Sequence, residues 1–242
     1  MKLLIIRHAD PDYSIDSLTP TGWREAELLS KRLSRLDIGA FYVSPLGRAK
    51  DTASLTLKKM NRTAVECPWL REFIPRICRP GSDEDSVVWD WLPAEWTKDA
   101  RYFDRSAWST TDVMTAGRVQ EEYDWVISGF DRLLSAHGYD REKEYYRAVN
   151  SNQDTIVLFC HFGVECVLLS HLLGISPMIL WHGFCAAPSS VTTLVTEERR
   201  EGIACFRMGS FGDTAHLYNA GRQPSFAARF CETFDDASQR HD

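Results

Sequence analysis

The chain has 242 residues, of which 44% are hydrophobic and 26% charged, with a formal net charge of -6. That length suits one large domain or a domain carrying an insertion, and the acidic balance argues against a general nucleic-acid or polyanion surface. No stretch approaches the roughly 20 apolar residues of a membrane span, and the apolar run in "MKLLIIRHAD" is too short for a signal-peptide core. The expected location is therefore the cytoplasm.

In chain order, "LLII" at 3–6 has no polar alternation and reads as a strand buried on both faces. It stops abruptly at Arg7 and His8, followed by a polar loop. "TPTGWREAELLSKRL" reads as a helix, with Thr19 as N-cap and Pro20 as first helical residue. Ala26, Leu29, Leu33 and Leu36 are spaced as one helical stripe. "AFYV" at 40–43 is a second short strand, and "SPLGRAKDTASLTL" turns from it into a second helix. A weaker extended stretch begins at Val65 and runs to "PWLREF".

From Ile74 to Asn150 the texture becomes aromatic and helical, so 74–150 reads as a cap segment inserted in a single domain spanning 1–242. Its longest helix, "VQEEYDWVISGFDRLLSAHG", has Val126, Phe130, Leu133 and Leu134 on one face. "TIVLFC" at 155–160 is a clear buried strand. It passes through "HFG" into the helical "VECVLLSHLLG". "SSVTTLVT" and "IACFRM" are late strands with the look of a hairpin, and the polar end "ETFDDASQRHD" reads as frayed. Strands alternating with helices imply an α/β three-layer sandwich around a mostly parallel central sheet, with the aromatic-rich helical insertion beside it.

Seven cysteines, an odd number, fit a reduced compartment. They are scattered rather than clustered in pairs, which argues against a zinc site. Cys160 lacks the arginine six residues on that a cysteine-phosphatase loop needs, because that position is Cys166. Buried, inert thiols are expected for most of the seven.

Three strand ends then align. "LLII" ends in Arg7-His8, "AFYV" in Ser44-Pro45 and then Arg48, and "TIVLFC" in His161-Phe162-Gly163. If the strands are parallel neighbours, two arginines and two histidines converge on one crevice at the carboxyl edge of the sheet, where ligands bind in such folds. Like charges about 4 Å apart repel by roughly 4 kcal/mol at an effective dielectric near 20, so the cluster calls for an anion. A phosphoryl group fits, because arginine forks match its oxygens.

The motifs "RHA" at 7–9, "LTPTG" at 18–22, "SPLGRAKDTA" at 44–53, "LRE" at 70–72, "CHFG" at 160–163, "SSVT" at 189–192 and "GDTAHL" at 212–217 resemble, in order, those of the histidine phosphatase, or phosphoglycerate mutase-like, superfamily. The resemblance implies that His8 is the nucleophile and that Arg7, Arg48 and His161 clamp the phosphoryl oxygens. It makes Glu72 the acid that protonates the leaving oxygen and then activates water, and gives His216 a supporting role. Neither metal nor cofactor is expected, since the side chains supply the charge.

Ala9 stands where the family commonly has Gly, and the loop "ADPDYSIDS" is short. Tyr13 or Ser14 is expected to replace its usual polar contacts. Phe162 is expected to wall the pocket. His137, His171, His182 and His241 carry no motif and read as ordinary histidines.

The function this implies is metal-independent hydrolysis of a phosphomonoester, with a small-molecule substrate, no nucleic-acid or membrane partner, and an open oligomeric state. A phosphoglycerate-type mutase would need a second fixed anion site and exclusion of water. A non-catalytic phospho-ligand module would not need both His8 and Glu72. Arg76 and Arg79, just beyond Glu72 and ahead of three tryptophans, are candidates for meeting a second anionic group on the substrate.

Overall fold

The computed structural model describes residues 1–82, 84–225 and 231–236. In chain order the principal elements are β1 (Lys2–Arg7), α1 (Pro20–Leu33), β2 (Ala40–Val43), α2 (Gly47–Met60), β3 (Val65–Glu66), α3 (Val119–Ala136), β4 (Tyr139–Glu142), β5 (Tyr145–Ala148), β6 (Thr155–Cys160), α4 (Phe162–Leu173), α5 (Pro177–Gly183), β7 (Val191–Arg200) and β8 (Ile203–Asp213). One eight-stranded sheet has the order β3-β2-β6-β1-β7-β8-β5-β4. β3, β2, β6 and β1 run parallel, while the β7–β8 hairpin and the β4–β5 hairpin extend the sheet antiparallel.

The unbroken apolar runs explain the layering. Leu3 and Ile5 face one hydrophobic cluster together with Ile156 and Leu158 of β6. Leu4 and Ile6 face the opposite cluster with Val157 and Phe159, under Leu29 and Leu33 of α1 and Ala49 and Ala53 of α2. Alternate side chains of a strand point to opposite faces, so a strand covered on both sides must be apolar throughout. Each such fully buried aliphatic contributes about 1.5–3 kcal/mol relative to exposure.

Thr19 caps α1 as expected, accepting from the Gly22 amide, with Pro20 in the first turn. The stripe departs from expectation at its end. Ala26, Leu29 and Leu33 are buried, but α1 stops at Leu33 and Leu36 is left exposed; Ile38 enters the core instead. The four expected apolar positions of α3 are all buried. The expectation for the cysteines is corrected too: Cys67, Cys160 and Cys166 are buried, whereas Cys78, Cys185 and Cys205 are exposed and Cys231 lies between.

Within the aromatic segment, a two-stranded ribbon (Arg76–Cys78 with Asp85–Val87) is followed by short helices and then α3. The last part of the segment, β4 and β5, joins the central sheet. Part of the polar tail, and His241 with it, lies outside the described residues. No helix among the described residues is long and apolar enough to cross a membrane.

Candidate active site

Because β2, β6 and β1 are adjacent and parallel, their carboxyl ends open on one edge, and Arg7, His8, Ser44 and His161 stand there together. His8 is buried, with its backbone pinned on both sides: its amide donates to the Cys160 carbonyl at 2.9 Å and its carbonyl accepts from the Ser189 amide at 3.1 Å. Its ring Nδ1 lies 2.8 Å from the Ala9 carbonyl. A carbonyl only accepts, so Nδ1 carries the proton and the lone pair sits on Nε2. Burial, then the charge of Arg7, push the His8 pKa well below the ordinary histidine value, so the ring is neutral at pH 7.

His161 is fully buried, 5.1 Å from His8 between ring centroids. Its Nε2 is 2.7 Å from Ser44 Oγ. Ser44 Oγ also takes the Leu46 amide at 3.3 Å. Either atom of the Ser44–His161 pair can be the donor, and His161 Nδ1 is buried with no hydrogen-bond partner among the described residues. Burial, then His8 and both arginines, push its pKa well down.

Arg7 is fixed by donating from Nη1 to the Ala186 carbonyl at 2.5 Å, and its guanidinium lies 5.8 Å from the Phe162 ring centroid. Arg48, in the first turn of α2, has a side chain only 12% exposed and pairs with Asp16 at 2.7 Å. Two arginines and two neutral imidazoles thus share one crevice.

Glu72 lies close enough to Arg7 and Arg48 to feel both charges. Its Oε1 accepts from the Phe73 amide at 2.8 Å and from the Val164 amide at 3.1 Å, so it is tied to the amino end of α4, whose cap position is His161. Oε1 is saturated, and an acid proton belongs on Oε2. Burial raises the Glu72 pKa, although both amides and Arg7 pull it down. Gly163 is needed for this approach: a β-carbon there would lie 2.6 Å from Trp89 Nε1 and 2.7 Å from Glu72 Oε1.

The structure brings Arg7, His8, Arg48, Glu72 and His161 together, and places the other expected residues variously. Phe162 is buried against the edge of Trp89 and below Arg7, a wall position. Tyr13 is 68% exposed, with its ring 5.3 Å from the Arg48 guanidinium. Ser14 is exposed and bonded to Asp12 at 2.5 Å, turned into its own loop rather than toward the clamp. Arg76 is exposed and Arg79 half-buried, and each donates to a backbone carbonyl of its own segment, of Asp85 and Asp90 respectively. His216 sits behind the site. Its Nε2 is 3.1 Å from Ser189 Oγ, and Ser189 holds φ 59 while its amide grips the His8 carbonyl.

Sequence reasoning missed several contributors. Asp16 pairs with Arg48 across 32 positions and leaves no local pattern. Ser44 acts through a single hydroxyl, and Ser189 through its hydroxyl and its amide. Glu165 had a signal: it is the lone charge in an apolar helix, and it is 1% exposed. Burial raises its pKa to about 7, Arg7 lowers it and Glu72 raises it, while the nearby Thr192 hydroxyl falls short of a well-formed hydrogen bond. Glu25 is likewise buried and raised to about 7, yet accepts from the Asp10 and Ser225 amides. Among the described residues no cluster of three or more His, Cys, Asp or Glu is arranged to hold a metal ion.

The sheet edge and its cationic crevice define an α/β enzyme that handles phosphoryl groups. Residues 3–208 match the histidine phosphatase superfamily, branch 1, and the chain belongs to that family. It is a phosphatase. Phosphoserine phosphatase 1 of Hydrogenobacter thermophilus is 24% identical over 232 residues, covering 89% of this chain and 98% of that protein. Among solved structures, a His-to-Ala variant of phosphoserine phosphatase from Entamoeba histolytica, in complex with phosphoserine, superposes with a TM-score of 0.57 at 20% identity, covering 89% of this chain and 98% of that one. A mycobacterial glucosyl-3-phosphoglycerate phosphatase with inorganic phosphate gives a TM-score of 0.57 at 17% identity, over 89% and 99% of the two chains.

Proposed function

We propose that this phosphatase hydrolyses phosphate monoesters through a phosphohistidine at His8 Nε2. The observation that carries the reading is the His8 Nδ1–H bond to the Ala9 carbonyl, which leaves a neutral imidazole with its Nε2 lone pair free. In the first step that lone pair attacks phosphorus and the P–O ester bond breaks, with the Glu72 carboxylic acid giving its proton to the leaving oxygen. In the second, water attacks phosphorus, the P–N bond breaks and the Glu72 carboxylate takes the water proton. Arg7, Arg48, His161 with its proton on Nδ1 and Nε2 accepting from Ser44, and the amino end of α4 are then fixed donors for the charge on the transferring group, and they need no reorganisation. Similarity to phosphoserine and glucosyl-3-phosphoglycerate phosphatases supports a small phosphorylated carboxylic acid as substrate, and the Trp89–Phe162 contact supports segment 74–150 as a cap that frames the leaving group.

The test is rapid quench during turnover of phosphoserine, 3-phosphoglycerate and p-nitrophenyl phosphate. An acid-labile, base-stable phosphoryl adduct is expected in the wild type and absent from His8→Ala. An adduct that survives in the variant moves the nucleophile elsewhere, and isomerised product in place of inorganic phosphate would make the enzyme a mutase.

A further inference from the structure

The loop between β1 and α1 contains an acidic residue that the proposed chemistry does not use. Asp16 has φ 48, in the left-handed region that few residues other than glycine, asparagine and aspartate adopt. Two bonds hold it. Oδ2 accepts from the Gly47 amide at 2.6 Å, at the amino end of α2, and Oδ1 accepts from Arg48 Nη1 at 2.7 Å. The backbone presses equally close: a β-carbon on Gly47 would lie 2.1 Å from the Asp16 carbonyl oxygen, so only glycine admits the loop here.

The rest of the loop is anchored to the same helix. Ser17 Oγ donates to Asp51 at 2.5 Å, and Asp12 pairs with Ser17 in a short antiparallel bridge. Tyr13 covers the outer face of the Arg48 guanidinium. One turn into α2, Thr52 Oγ1 donates to the Arg48 carbonyl at 2.7 Å and accepts from the Ala9 amide at 2.9 Å, which locks the helix to the backbone beside His8.

Among the described residues the guanidinium is therefore held along one edge. Its Nε–H is buried and has no acceptor among those residues. We propose that Asp16 is the positioning residue for Arg48: its carboxylate takes the Nη1 side of the guanidinium and presents the buried Nε–H side to a phosphoryl oxygen. This rests on the reading of the crevice as an oxyanion site. An arginine fork discriminates by geometry, so fixing its plane in advance matters more than adding its charge. Burial opposes ionisation of Asp16, but the Gly47 amide and Arg48 prevail and hold its pKa below the usual carboxylate range. The pairing is then constant across the neutral range, and its loss should lower anion affinity without moving the limbs of a pH profile.

The test is orthovanadate inhibition of p-nitrophenyl phosphate hydrolysis by the full chain, in a double-mutant cycle of Asp16→Ala and Arg48→Ala. Asp16→Ala should weaken vanadate about tenfold, raise KM more than it lowers kcat, and leave the pH limbs in place. Asp16→Asn keeps an amide oxygen for Gly47 or Arg48 and should recover part of the loss; it replaces the alanine variant in the cycle if that variant fails to fold. In the Arg48→Ala background, where Arg7 and the α4 amino end still hold vanadate weakly, removing Asp16 should change the affinity less than twofold. An undiminished loss in that background, or tighter vanadate binding in Asp16→Ala, overturns the proposal. A wild type insensitive to vanadate would overturn the oxyanion reading itself, and this inference with it.

Discussion

At the residue scale, burial decides which groups carry protons, and it acts with opposite sign on imidazoles and carboxyls. His8 and His161 stay neutral because their pKa values are pushed well down, while that of Glu72 is pushed up. In the proposed mechanism a nucleophile that needs no proton removed then faces an acid that still holds one. kcat/KM should accordingly fall as pH rises through the raised Glu72 pKa. Glu72→Gln should lose that limb and slow alkyl phosphates far more than p-nitrophenyl phosphate, whose leaving group needs little protonation. Equal losses on both substrates would place the acid elsewhere.

Glu165 tests the same physics through stability. Its pKa is about 7 in the fold against an ordinary value near 4.5. Between those values the folded state holds a proton that the unfolded chain has released, so stability falls as pH rises, and the loss levels off above about pH 7 on the order of 3 kcal/mol. Glu165→Gln cannot ionise. Urea unfolding at pH 5 and pH 8 should show its stability gaining on the wild type across that interval. A gap independent of pH would mean that Glu165 is already ionised in the fold at pH 5.

At the element scale, the sequence was most legible where one physical demand dominates. Strands β1, β2 and β6 must be apolar on both faces, and the change to Arg, Ser or His marks where each leaves the core. Those three junctions carried most of the site with them. The β4–β5 hairpin was not legible, because "YDREKEYYRA" satisfies a different demand. It is an outer strand pair that buries only Tyr139 and Tyr146 and leaves charges outward, as exposed sheet edges commonly do. Asp16 was hidden for a related reason, since a loop acid acquires meaning only from a helix that the sequence does not place beside it.

The junction of β6 and α4 also yields an element-level prediction. The helix can begin directly after His161 only because Gly163 leaves room for Glu72 and the Trp89 indole. Gly163→Ala should fold, since alanine suits a helix, yet displace Glu72 by a few tenths of an ångström or more. Misplacing a catalytic group on that scale costs roughly 10- to 100-fold in kcat/KM. Activity near wild type, with unchanged circular dichroism, would show that Glu72 is not held by this contact.

At the scale of the whole molecule, the question is whether the aromatic segment is a separate cap or part of the same core. One hydrophobic cluster contains Leu3 and Ile5 of β1 and Ile156 and Leu158 of β6. It also contains Ile77, Val88, Trp91, Tyr102 and Trp108 of the segment. Trp108 is the hinge of that continuity, packing edge to face on Trp181 of α5 at 5.7 Å and on Tyr123 of α3 at 5.4 Å. Trp181 in turn stacks on Phe73, the neighbour of Glu72, and donates to the Gly163 carbonyl at 3.1 Å. A segment joined to the sheet by shared apolar surface cannot unfold without exposing that surface on both sides, so one cooperative transition is expected despite the chain length. Urea unfolding followed by tryptophan fluorescence, which weights the segment, should coincide with unfolding followed by far-UV circular dichroism, which weights the whole fold. Trp108→Ala should shift both curves together, by about 3–5 kcal/mol for a large buried aromatic. If fluorescence moves first, and the circular dichroism midpoint stays where it was in the wild type, residues 74–150 form an autonomous cap and the shared core does not couple them to the sheet.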